Sequence, residues 1–385
     1  MIRYITSGES HGKSLVGIIE GLPAGLFISI EEINHQLFRR QQGYGRSGRM
    51  KIEHDAAILL SGVRFGKTTG APIAVEIHNK DWKNWEKILS VDPIPESDLP
   101  AEITIPRPGH ADLAGAVKFG HTDIRNIIER ASARETAIRT ALGAIARQFL
   151  QVFNIEIGSH IIEIHTIKSS AIFNASDIPG ETLRADFSPM RCLDPEAENE
   201  MVSAIDIAKS KGNTVGGRIE LFTSTVPIGL GSYTQWDKRL DGLLAGALMA
   251  IPGIKAVEIG LGVESGRRFG SEIQDEIVLS ADNRITRSSN NAGGIEGGIS
   301  NGQPLIITLT MKPIATLLSA LNSVDLKIKK AARAHIERSD ICAVPAASVI
   351  AEAVTALVLV QVILEKFSGD HIDDVKNAFH LRRTI

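Results

Sequence analysis

The residues best suited to chemistry in this sequence are arginines in glycine-rich turns and on a helix face that otherwise looks like core. They are Arg39, Arg40, Arg46, Arg49, Arg107, Arg130, Arg134 and Arg338. The whole chain has a formal net charge of −3, so these cations form a local cluster and not a generally basic surface. A buried guanidinium group needs an anionic partner, because burying an unpaired charge is costly. The pattern therefore predicts a small polyanionic ligand that carries phosphates or carboxylates.

Two of these basic segments are typical of phosphate sites. Segment 43–49 reads Gly-Tyr-Gly-Arg-Ser-Gly-Arg and directly follows an Arg-Arg pair, so backbone amides and four arginines can converge on one anion. Arg130 and Arg134 are four residues apart in a predicted helix over 126–152, in register with its apolar stripe. A helix N-terminus adds free N–H groups and a positive dipole. The alternatives are a flexible basic loop and arginines that extend into water.

Two histidines lie in tight turns where they could act as general acids. His11 is in a glycine-bounded turn after the first predicted strand, and His110 is in the Arg-Pro-Gly-His-Ala-Asp segment 107–112. The first turn is not a P-loop, because its glycines are separated by three residues and that motif needs four. Surface, capping or turn-forming histidines are the alternatives. A metal site at His110 and Asp112 is the weaker interpretation, because no second histidine follows at a metal-motif spacing.

Three further segments could contribute to the same site. Segment 292–302 has five glycines in eleven residues, so its backbone can approach a phosphate or a flat cofactor closely. It does not have the dinucleotide-binding pattern GxGxxG. Lys312 follows the next predicted strand, where a lysine can meet a phosphate. Asp340 comes two residues after Arg338 and could be a general base or half of a loop ion pair.

The composition excludes several classes of protein. The 385 residues are 43% hydrophobic and 23% charged, as in a soluble globular protein with a sizeable core. The isoelectric point near 6.4 argues against nucleic-acid binding. The two cysteines show no CxxC spacing, which argues against a disulfide framework or zinc site and fits a reducing cytoplasm. The sequence starts like a strand, with no signal peptide, and the apolar stretch 353–364 is too short to span a bilayer.

Hydrophobic periodicity predicts one α+β or α/β domain with mixed or antiparallel sheets covered by helices. Strands are predicted at 2–6, 15–20, 58–61, 73–77 and 305–311, with a β-rich region over 155–228 and a strand and turn over 253–270. Helices are predicted at 30–40, 126–152, 196–211, 237–250, 324–338 and 346–367, with a long loop at 81–108. The polar tail after about residue 369 is expected to be loose.

Taken together, these segments resemble the chorismate synthase family. Its three signature regions are matched by 8–12 with 21–23, by 129–136, and by 338–340 with Pro345 and 352–353. Three further runs match in order and spacing, at 43–50, 107–112 and 291–299. The resemblance extends over essentially the whole chain, so a single domain over 1–385 is expected.

The resemblance implies a lyase of the shikimate pathway, and so of aromatic amino acid biosynthesis. Its substrate, 5-enolpyruvylshikimate 3-phosphate, loses phosphate and a ring proton by 1,4-anti elimination and becomes chorismate. The family needs reduced FMN without net redox change, since the flavin lends an electron transiently and helps the phosphate leave. The resemblance assigns His11 and His110 as acids toward the flavin and the departing phosphate. It assigns Asp340 to proton removal by way of flavin N5.

The resemblance also implies binding residues and an assembly. The substrate contacts correspond to Arg40, Arg46, Arg49, Arg107 and Arg134, and Arg40 and Arg46 are also NADP contact positions in the family. The FMN contacts correspond to Arg130, Ala131, Ser132, Pro252, Gly253, Gly297, Lys312, Pro313, Ile314, Ala315, Thr316 and Arg338. The implied fold is a β-α-β sandwich assembled as a homotetramer. NADPH is the reductant where flavin reductase activity is intrinsic, and the compact length favours the type that needs a separate reductase.

The sequence departs from the family pattern at two places. The family often has Lys-Pro-Thr-Ser followed by Ser or Thr where this chain has Lys-Pro-Ile-Ala-Thr over 312–316. Two hydroxyl groups are lost, so Thr316 is expected to take more of their hydrogen bonding to the flavin. A pair that is often Asn-Ala in the family is Pro252-Gly253 here.

Three other function classes are compatible with parts of the sequence. A sensor or carrier for phosphorylated metabolites would bind the same ligands without turnover. An RNA-binding protein could use the arginine loops, although the acidic isoelectric point and the scarcity of aromatic residues argue against it. A metal-dependent phosphatase built on His110 and Asp112 would lose its activity to a chelator and would need no flavin.

Overall fold

The computed structural model describes residues 2–47, 54–281, 283–337 and 339–381. Arg49 and Arg338, two predicted site residues, therefore lie outside the described residues. The strands of the described part are β1 (Arg3–Ser7), β2 (Ser14–Glu20), β3 (Ala57–Leu59), β4 (Val63–Arg64), β5 (Lys67–Thr68), β6 (Ile73–His78), β7 (Ile157–Ile164), β8 (Ile167–Lys168), β9 (Gly217–Thr225), β10 (Ile254–Ile259), β11 (Ile277–Leu279), β12 (Ile285–Arg287), β13 (Ile295–Glu296), β14 (Ile299–Ser300), β15 (Pro304–Met311), β16 (Asn322–Asp325) and β17 (Lys330–Arg333). The helices are α1 (Ile30–Gln41), α2 (Trp82–Trp85), α3 (Asp112–Phe119), α4 (Arg125–Arg130), α5 (Thr136–Gln151), α6 (Ile178–Phe187), α7 (Pro195–Ser210), α8 (Leu240–Met249), α9 (Gly270–Ile273), α10 (Val344–Lys366) and α11 (Ile372–His380).

An antiparallel sheet of order β1-β2-β6-β3 carries the N-terminal part of the chain. Strand β2 alternates, with Leu15, Gly17 and Ile19 on the buried face. Helix α5 packs against β2 and β6. Gly17 allows this close approach, because a Cβ atom there would lie 2.7 Å from a side-chain carbon of Ile138 in α5. The sheet and α5 thus form one side of the core.

A second antiparallel sheet has the order β10-β15-β9-β7-β8, and helix α10 packs against β7 and β9. Helices α5 and α10 also pack on each other closely, since a Cβ atom on Gly143 would clash with Ala353. Antiparallel sheets that pack against separate helices confirm the α+β class. Helix α10 is apolar and long enough to cross a membrane, but 94% of its most apolar window is buried inside the protein. It is a core helix and confirms the helix predicted at 346–367.

Most predicted elements are confirmed within a few residues, but the predicted helix over 126–152 is broken. Helix α4 ends at Arg130, Ser132 is extended, and a short 3₁₀ turn at Ala133–Glu135 leads into α5. The Ser132 hydroxyl accepts a hydrogen bond from the Arg134 amide, so it caps the new turn and ends the old helix. As a result Arg130 is exposed whereas Arg134 is buried, and the two do not share one helix face.

Two C-terminal predictions were wrong. The predicted helix over 324–338 is the hairpin β16–β17, because the Asp325 carboxylate accepts two amide hydrogen bonds in the connecting turn and Lys329 adopts a positive φ of 54°. The tail after residue 369 was expected to be loose, but its described part, up to residue 381, contains helix α11. Its Ile372, Val375 and Phe379 are buried against the core, a spacing that places them on one helix face.

Candidate active site

The predicted catalytic and anion-binding residues lie on turns at the ends of core elements. The turn between β1 and β2 carries His11, and the end of α1 and the loop after it carry Arg40 and Arg46. The turn before α3 carries His110, and the junction of α4 with α5 carries Arg134. Rigid elements thus hold side chains that the sequence separates widely, which suits a site that must orient several groups at once.

His11 is held from two sides. Its Nδ1 atom lies 2.9 and 3.0 Å from the two carboxylate oxygens of Glu129, and its backbone amide donates to one of them at 2.8 Å. The indole of Trp85 stacks on the imidazole, with ring centroids 3.9 Å apart. The Ser10 amide donates to the Glu129 carbonyl at 3.0 Å, which ties the whole turn to α4. The imidazole is therefore fixed, with Nε2 as the nitrogen directed away from Glu129.

His110 is oriented in the same way by a different carboxylate. Its Nδ1 lies 2.5 Å from Oδ1 of Asp112, and Arg107 binds the other oxygen of that carboxylate through Nε at 2.9 Å. Burial alone would raise the pKa of Asp112, but the hydrogen bonds from His110 and Arg107 outweigh it and hold the pKa far below its usual range. Asp112 stays ionised and can keep a proton on Nδ1, which leaves Nε2 of His110 for a ligand.

Arg40 is the arginine best placed to donate a hydrogen bond to a bound anion. It is buried, and its Nε and Nη2 atoms donate to the Thr136 hydroxyl and the Ala133 carbonyl. Among the residues that the structure describes, its Nη1 atom has no hydrogen-bond partner, and the nearest carboxylate oxygen, on Asp55, is 3.7 Å away. Burial lowers the pKa of Arg40 to about 9 despite the attraction of Asp55. A bound anion would satisfy Nη1 and favour the charged guanidinium.

Arg134 and Arg46 border Arg40 and each contact a carboxylate. Arg134 binds Asp55 at 2.6 Å, and its Nε donates to the amide oxygen of Asn79 at 2.9 Å. Arg46 lies 3.1 Å from Asp340, the predicted base, whose other oxygen accepts the Ser47 amide at 2.6 Å. Asp340 is therefore an acceptor held beside the arginine cluster. Arg46 and Arg134 also lower the pKa of Arg40, so their positive fields overlap.

Arg107 joins the His110 turn to the segment after β15. Its Nη1 donates to the Thr316 hydroxyl at 2.9 Å and to Glu337 at 3.1 Å. A hydrogen bond from His335, followed by the nearby charges of Arg107 and His11, lowers the pKa of Glu337 although burial opposes this. The contribution of His11 indicates that the two histidine turns share one electrostatic environment. Glu337 thus binds Arg107 of the His110 turn and lies close enough to His11 for the charge of that side chain to act on it.

Three of the predicted flavin contacts touch the segments that carry the two histidines. Arg130 is exposed and donates to the Thr6 and Gly8 carbonyls, and the Ser132 hydroxyl donates to Ser10 at 3.1 Å. The Lys312 ammonium donates to the Gly109 carbonyl at 2.6 Å, beside the His110 turn.

The remaining described candidates are more dispersed. The Ile314 carbonyl accepts from Thr214, and a Cβ atom on Gly109 would touch Ala315. The Gly253 carbonyl, next to Pro252 in the chain, accepts a hydrogen bond from the Lys312 amide at 2.9 Å. Gly297 is exposed in the β13–β14 turn, where its carbonyl accepts from Arg239 at 3.3 Å. No hydrogen bond that the structure gives links Gly297 to the other described flavin candidates.

Arg39 does not belong to the site, contrary to the expectation that it converges on the anion with its neighbours. It turns into the core, where it binds Glu352 of α10 at 2.7 Å and Asp186 at 2.7 Å. Arg147 and Arg191 bind the same Glu352 carboxylate at 3.0 and 3.1 Å. Arg39 and Arg40 are adjacent in α1 and therefore project to different sides, one into the core and one into the site.

Sequence reasoning missed the carboxylates and the aromatic ring that complete the site. Asp55, Glu129 and Glu337 neutralise or orient the predicted cations and histidines, and Trp85 comes from α2 inside the predicted long loop. Glu129 was within a recognised signature segment, so its acidic side chain was a usable signal. Asp55 and Glu337 gave no such signal, since a single acidic residue outside a recognised motif has no distinctive pattern.

Comparisons with known proteins place this geometry in a family. The family model described as chorismate synthase matches residues 2–364. Chorismate synthase of Listeria welshimeri is 49% identical, with 100% of this chain and 99% of that protein covered, and that of Aquifex aeolicus is 50% identical, with 98% and 96% covered. A crystal structure of a chorismate synthase matches with a TM-score of 0.78 at 42% identity, covering 98% of this chain and 96% of the other. The chain belongs to the chorismate synthase family.

Proposed function

We propose that the chain converts 5-enolpyruvylshikimate 3-phosphate into chorismate by 1,4-anti elimination of phosphate and a ring proton, with reduced FMN as a required cofactor. The observation that carries this function is the pair of histidines, each held through Nδ1 by a carboxylate, beside buried guanidinium groups. Two fixed acids next to a cluster of cations suit a substrate that must release phosphate while its carboxylates stay bound.

The substrate clamp consists of Arg40, Arg46, Arg107 and Arg134, together with Arg49 outside the described residues. The substrate has one phosphate and two carboxylates, and bidentate guanidinium pairing suits both kinds of anion. Most of these arginines already contact a carboxylate of the chain. The substrate therefore adds further hydrogen bonds to guanidinium groups that are already paired. Arg40 differs, because its buried Nη1 atom has no hydrogen-bond partner in the described structure.

The two histidines have separate roles in this proposal. His110 protonates the departing phosphate through Nε2, while Asp112 keeps the proton on Nδ1. His11 acts as an acid toward the flavin, and Asp340 assists removal of the ring proton. Asp340 accepts bonds from Arg46 and the Ser47 amide, which hold its carboxylate in position at the edge of the cluster.

The predicted contact residues suit a flavin. Arg130, Ser132, Lys312 and Thr316 offer a guanidinium, two hydroxyls and an ammonium, which are the donors that a phosphate and a ribityl chain need. A Cβ atom on Gly297 would meet no atom within 4 Å, so that turn leaves room for a ligand. When bound, reduced FMN supplies electron density that helps the phosphate leave. Ala131, Pro252, Gly253, Pro313, Ile314 and Ala315 would line the pocket, with Arg338 outside the described residues.

The finer properties implied by the family are part of the same proposal. The chain is a cytoplasmic flavoprotein of one domain, in which α5 and α10 separate the two main sheets of a β-α-β sandwich, and it assembles as a homotetramer. Arg40 and Arg46 contact NADPH where the flavin reductase activity is intrinsic; otherwise a separate reductase supplies reduced FMN. Replacing the chemical reductant by NADPH in an anaerobic assay distinguishes these two cases.

Replacing Arg40 with lysine should weaken substrate binding about 10- to 100-fold, the equivalent of losing one charged hydrogen bond of about 1.5–3 kcal/mol. Lysine keeps the charge but lacks the planar fork, whose Nη1 atom is the one available to an anion. The dissociation constants of substrate and FMN, measured separately by calorimetry, check this. Arg184→Lys, on an exposed arginine of α6, is the matched control. Equal weakening of substrate and flavin would contradict the assignment of Arg40 to the substrate.

A chelator experiment separates the proposed lyase from a metal-dependent phosphatase. The lyase releases one chorismate for every phosphate and is expected to keep its full rate in the presence of EDTA. Phosphate release without chorismate, or activity abolished by EDTA and restored by a divalent metal, would contradict the proposed function.

A further inference from the structure

Glu129 is a buried carboxylate that the roles proposed above leave unused. Its side chain is 2% exposed, yet it accepts hydrogen bonds from the imidazole Nδ1 and from the backbone amide of His11. Its own carbonyl accepts the Ser10 amide. The hydrogen bonds that the structure gives this carboxylate all come from His11, although burying a carboxylate costs free energy. Such an arrangement calls for a reason beyond holding a surface loop.

The contact determines which nitrogen of His11 can act. A carboxylate that accepts from Nδ1 fixes the neutral ring as the Nδ1–H tautomer. Trp85 stacks on the imidazole face and restricts its rotation. Within the described part of the chain, Nε2 of His11 makes no hydrogen bond that the structure gives. Nε2 is therefore the position from which a proton can leave.

We propose that Glu129 is a positioning residue that holds His11 through Nδ1 and presents its Nε2–H as the transferable proton. This inference rests on the proposed role of His11 as an acid. In the transfer, the Nε2–H bond of the imidazolium breaks, its electron pair stays on Nε2, and the proton passes to the acceptor in the site. The ring is left neutral with its proton on Nδ1, still bound to Glu129, which takes no proton itself.

The second histidine turn supports this interpretation. His110 is bound through the same nitrogen, Nδ1, by Asp112, although its turn is unrelated in sequence and in position along the chain. Two independent turns thus place a buried carboxylate on Nδ1 and leave Nε2 for the ligand. The orienting carboxylate of a catalytic triad acts on a histidine in the same way.

A double-mutant cycle tests the proposal, because a residue that acts through His11 has no effect on turnover once His11 is gone. The variants are Glu129→Gln, His11→Ala and the pair, assayed anaerobically with reduced FMN and substrate. Glu129→Gln should lower kcat at least about 10-fold with little change in KM. The loss should not exceed that of His11→Ala, which is expected to lower kcat by about 10²–10⁴-fold. In the His11→Ala background, Glu129→Gln should change kcat less than about 2-fold.

The matched control is Glu135→Gln, a carboxylate on the same segment that binds Thr6 and Arg139 but not His11. It should leave kcat near the wild-type value. If Glu129→Gln slows the enzyme equally with and without His11, Glu129 is merely structural and the proposal is overturned. If His11→Ala is slow but Glu129→Gln turns over like wild type, the proposal is also overturned, whereas the role of His11 stands. Wild-type turnover by His11→Ala would remove the role of His11, and this inference with it.

A readout that does not depend on turnover is the tautomer of His11 in the cofactor-free protein. Solid-state ¹⁵N spectra of histidine-labelled protein, with the His11 signals identified by their loss in His11→Ala, report which nitrogen carries the proton. The neutral ring should be the Nδ1–H tautomer in wild type and should shift toward Nε2–H in Glu129→Ala. An Nε2–H tautomer in wild type would overturn the proposal.

Discussion

Replacing His110 with alanine is expected to lower kcat by about 10²–10⁴-fold, the usual contribution of a general acid. The leaving phosphate needs a proton as its bond to the ring breaks, and Nε2 of His110 is the nitrogen that Asp112 leaves available. Substrate and flavin affinities should change much less, because the arginine cluster remains. Stopped-flow measurement of chorismate formation under saturating substrate and reduced FMN checks this.

His121→Ala provides the control for His110→Ala. His121 follows α3 on the same segment and contacts Asn126 and Phe119, away from the arginine cluster. Its removal should leave kcat near the wild-type value. If His110→Ala retains wild-type turnover, His110 has no part in protonating the phosphate, whatever the spatial arrangement of its turn.

Replacing Glu352 with glutamine is expected to lower the free energy of unfolding by about 3–5 kcal/mol, the usual cost of breaking a buried ion pair. Arg39, Arg147 and Arg191 all bind this carboxylate in the core. Its loss leaves three buried guanidinium groups with Asp186 as the remaining carboxylate bound to Arg39 and Arg191. Urea unfolding of both proteins gives the difference. Glu365→Gln, on the exposed face of the same helix, should change stability by less than about 0.5 kcal/mol.

The same network predicts a dependence of stability on pH. Burial would raise the pKa of Glu352, but the three arginines outweigh it and lower the pKa from 4.5 to about 2. The stabilisation is therefore complete above pH 4.5 and is lost as the pH falls toward 2. Wild type should lose more stability than Glu352→Gln over this interval. Parallel losses in the two proteins, or a stability difference below about 1 kcal/mol at neutral pH, would contradict the account.

The core network also supports the site. Arg39 anchors the end of α1 to α10 through Glu352, and the next residue, Arg40, carries the guanidinium that faces the predicted anion. Asp340 lies four residues before the start of α10. Loosening the network should therefore disturb the relative positions of Arg40 and Asp340 as well as global stability.

The helices and strands that could be predicted are those with a regular spacing of apolar residues. Helices α1, α7 and α10 and strands β2, β6 and β15 follow from apolar spacing and from recognisable caps such as Ser29. The hairpin β16–β17 was mistaken for a helix because its turn depends on side-chain bonds of Asp325, which periodicity does not reveal. The break between α4 and α5 depends similarly on one capping serine.

In the site, cations and histidines were easier to predict than their partners. Arginine in a glycine-rich turn is unusual enough to attract attention, whereas Asp55 and Glu337 reach the site through long-range folding. The position of Arg39 could not be predicted for the same reason. Arg39 and Arg40 are neighbours in one helix, and only the packed structure determines which of them faces the core. Pairing of charges across the chain is a tertiary property, and local pattern does not specify it.

The most direct test of the central claim is an anaerobic assay of the purified protein with 5-enolpyruvylshikimate 3-phosphate and chemically reduced FMN. The account predicts chorismate and phosphate in equal amounts with reduced FMN, and neither product with oxidised FMN or without flavin. Equal turnover without reduced flavin, or flavin and substrate binding with no chorismate at all, would contradict it.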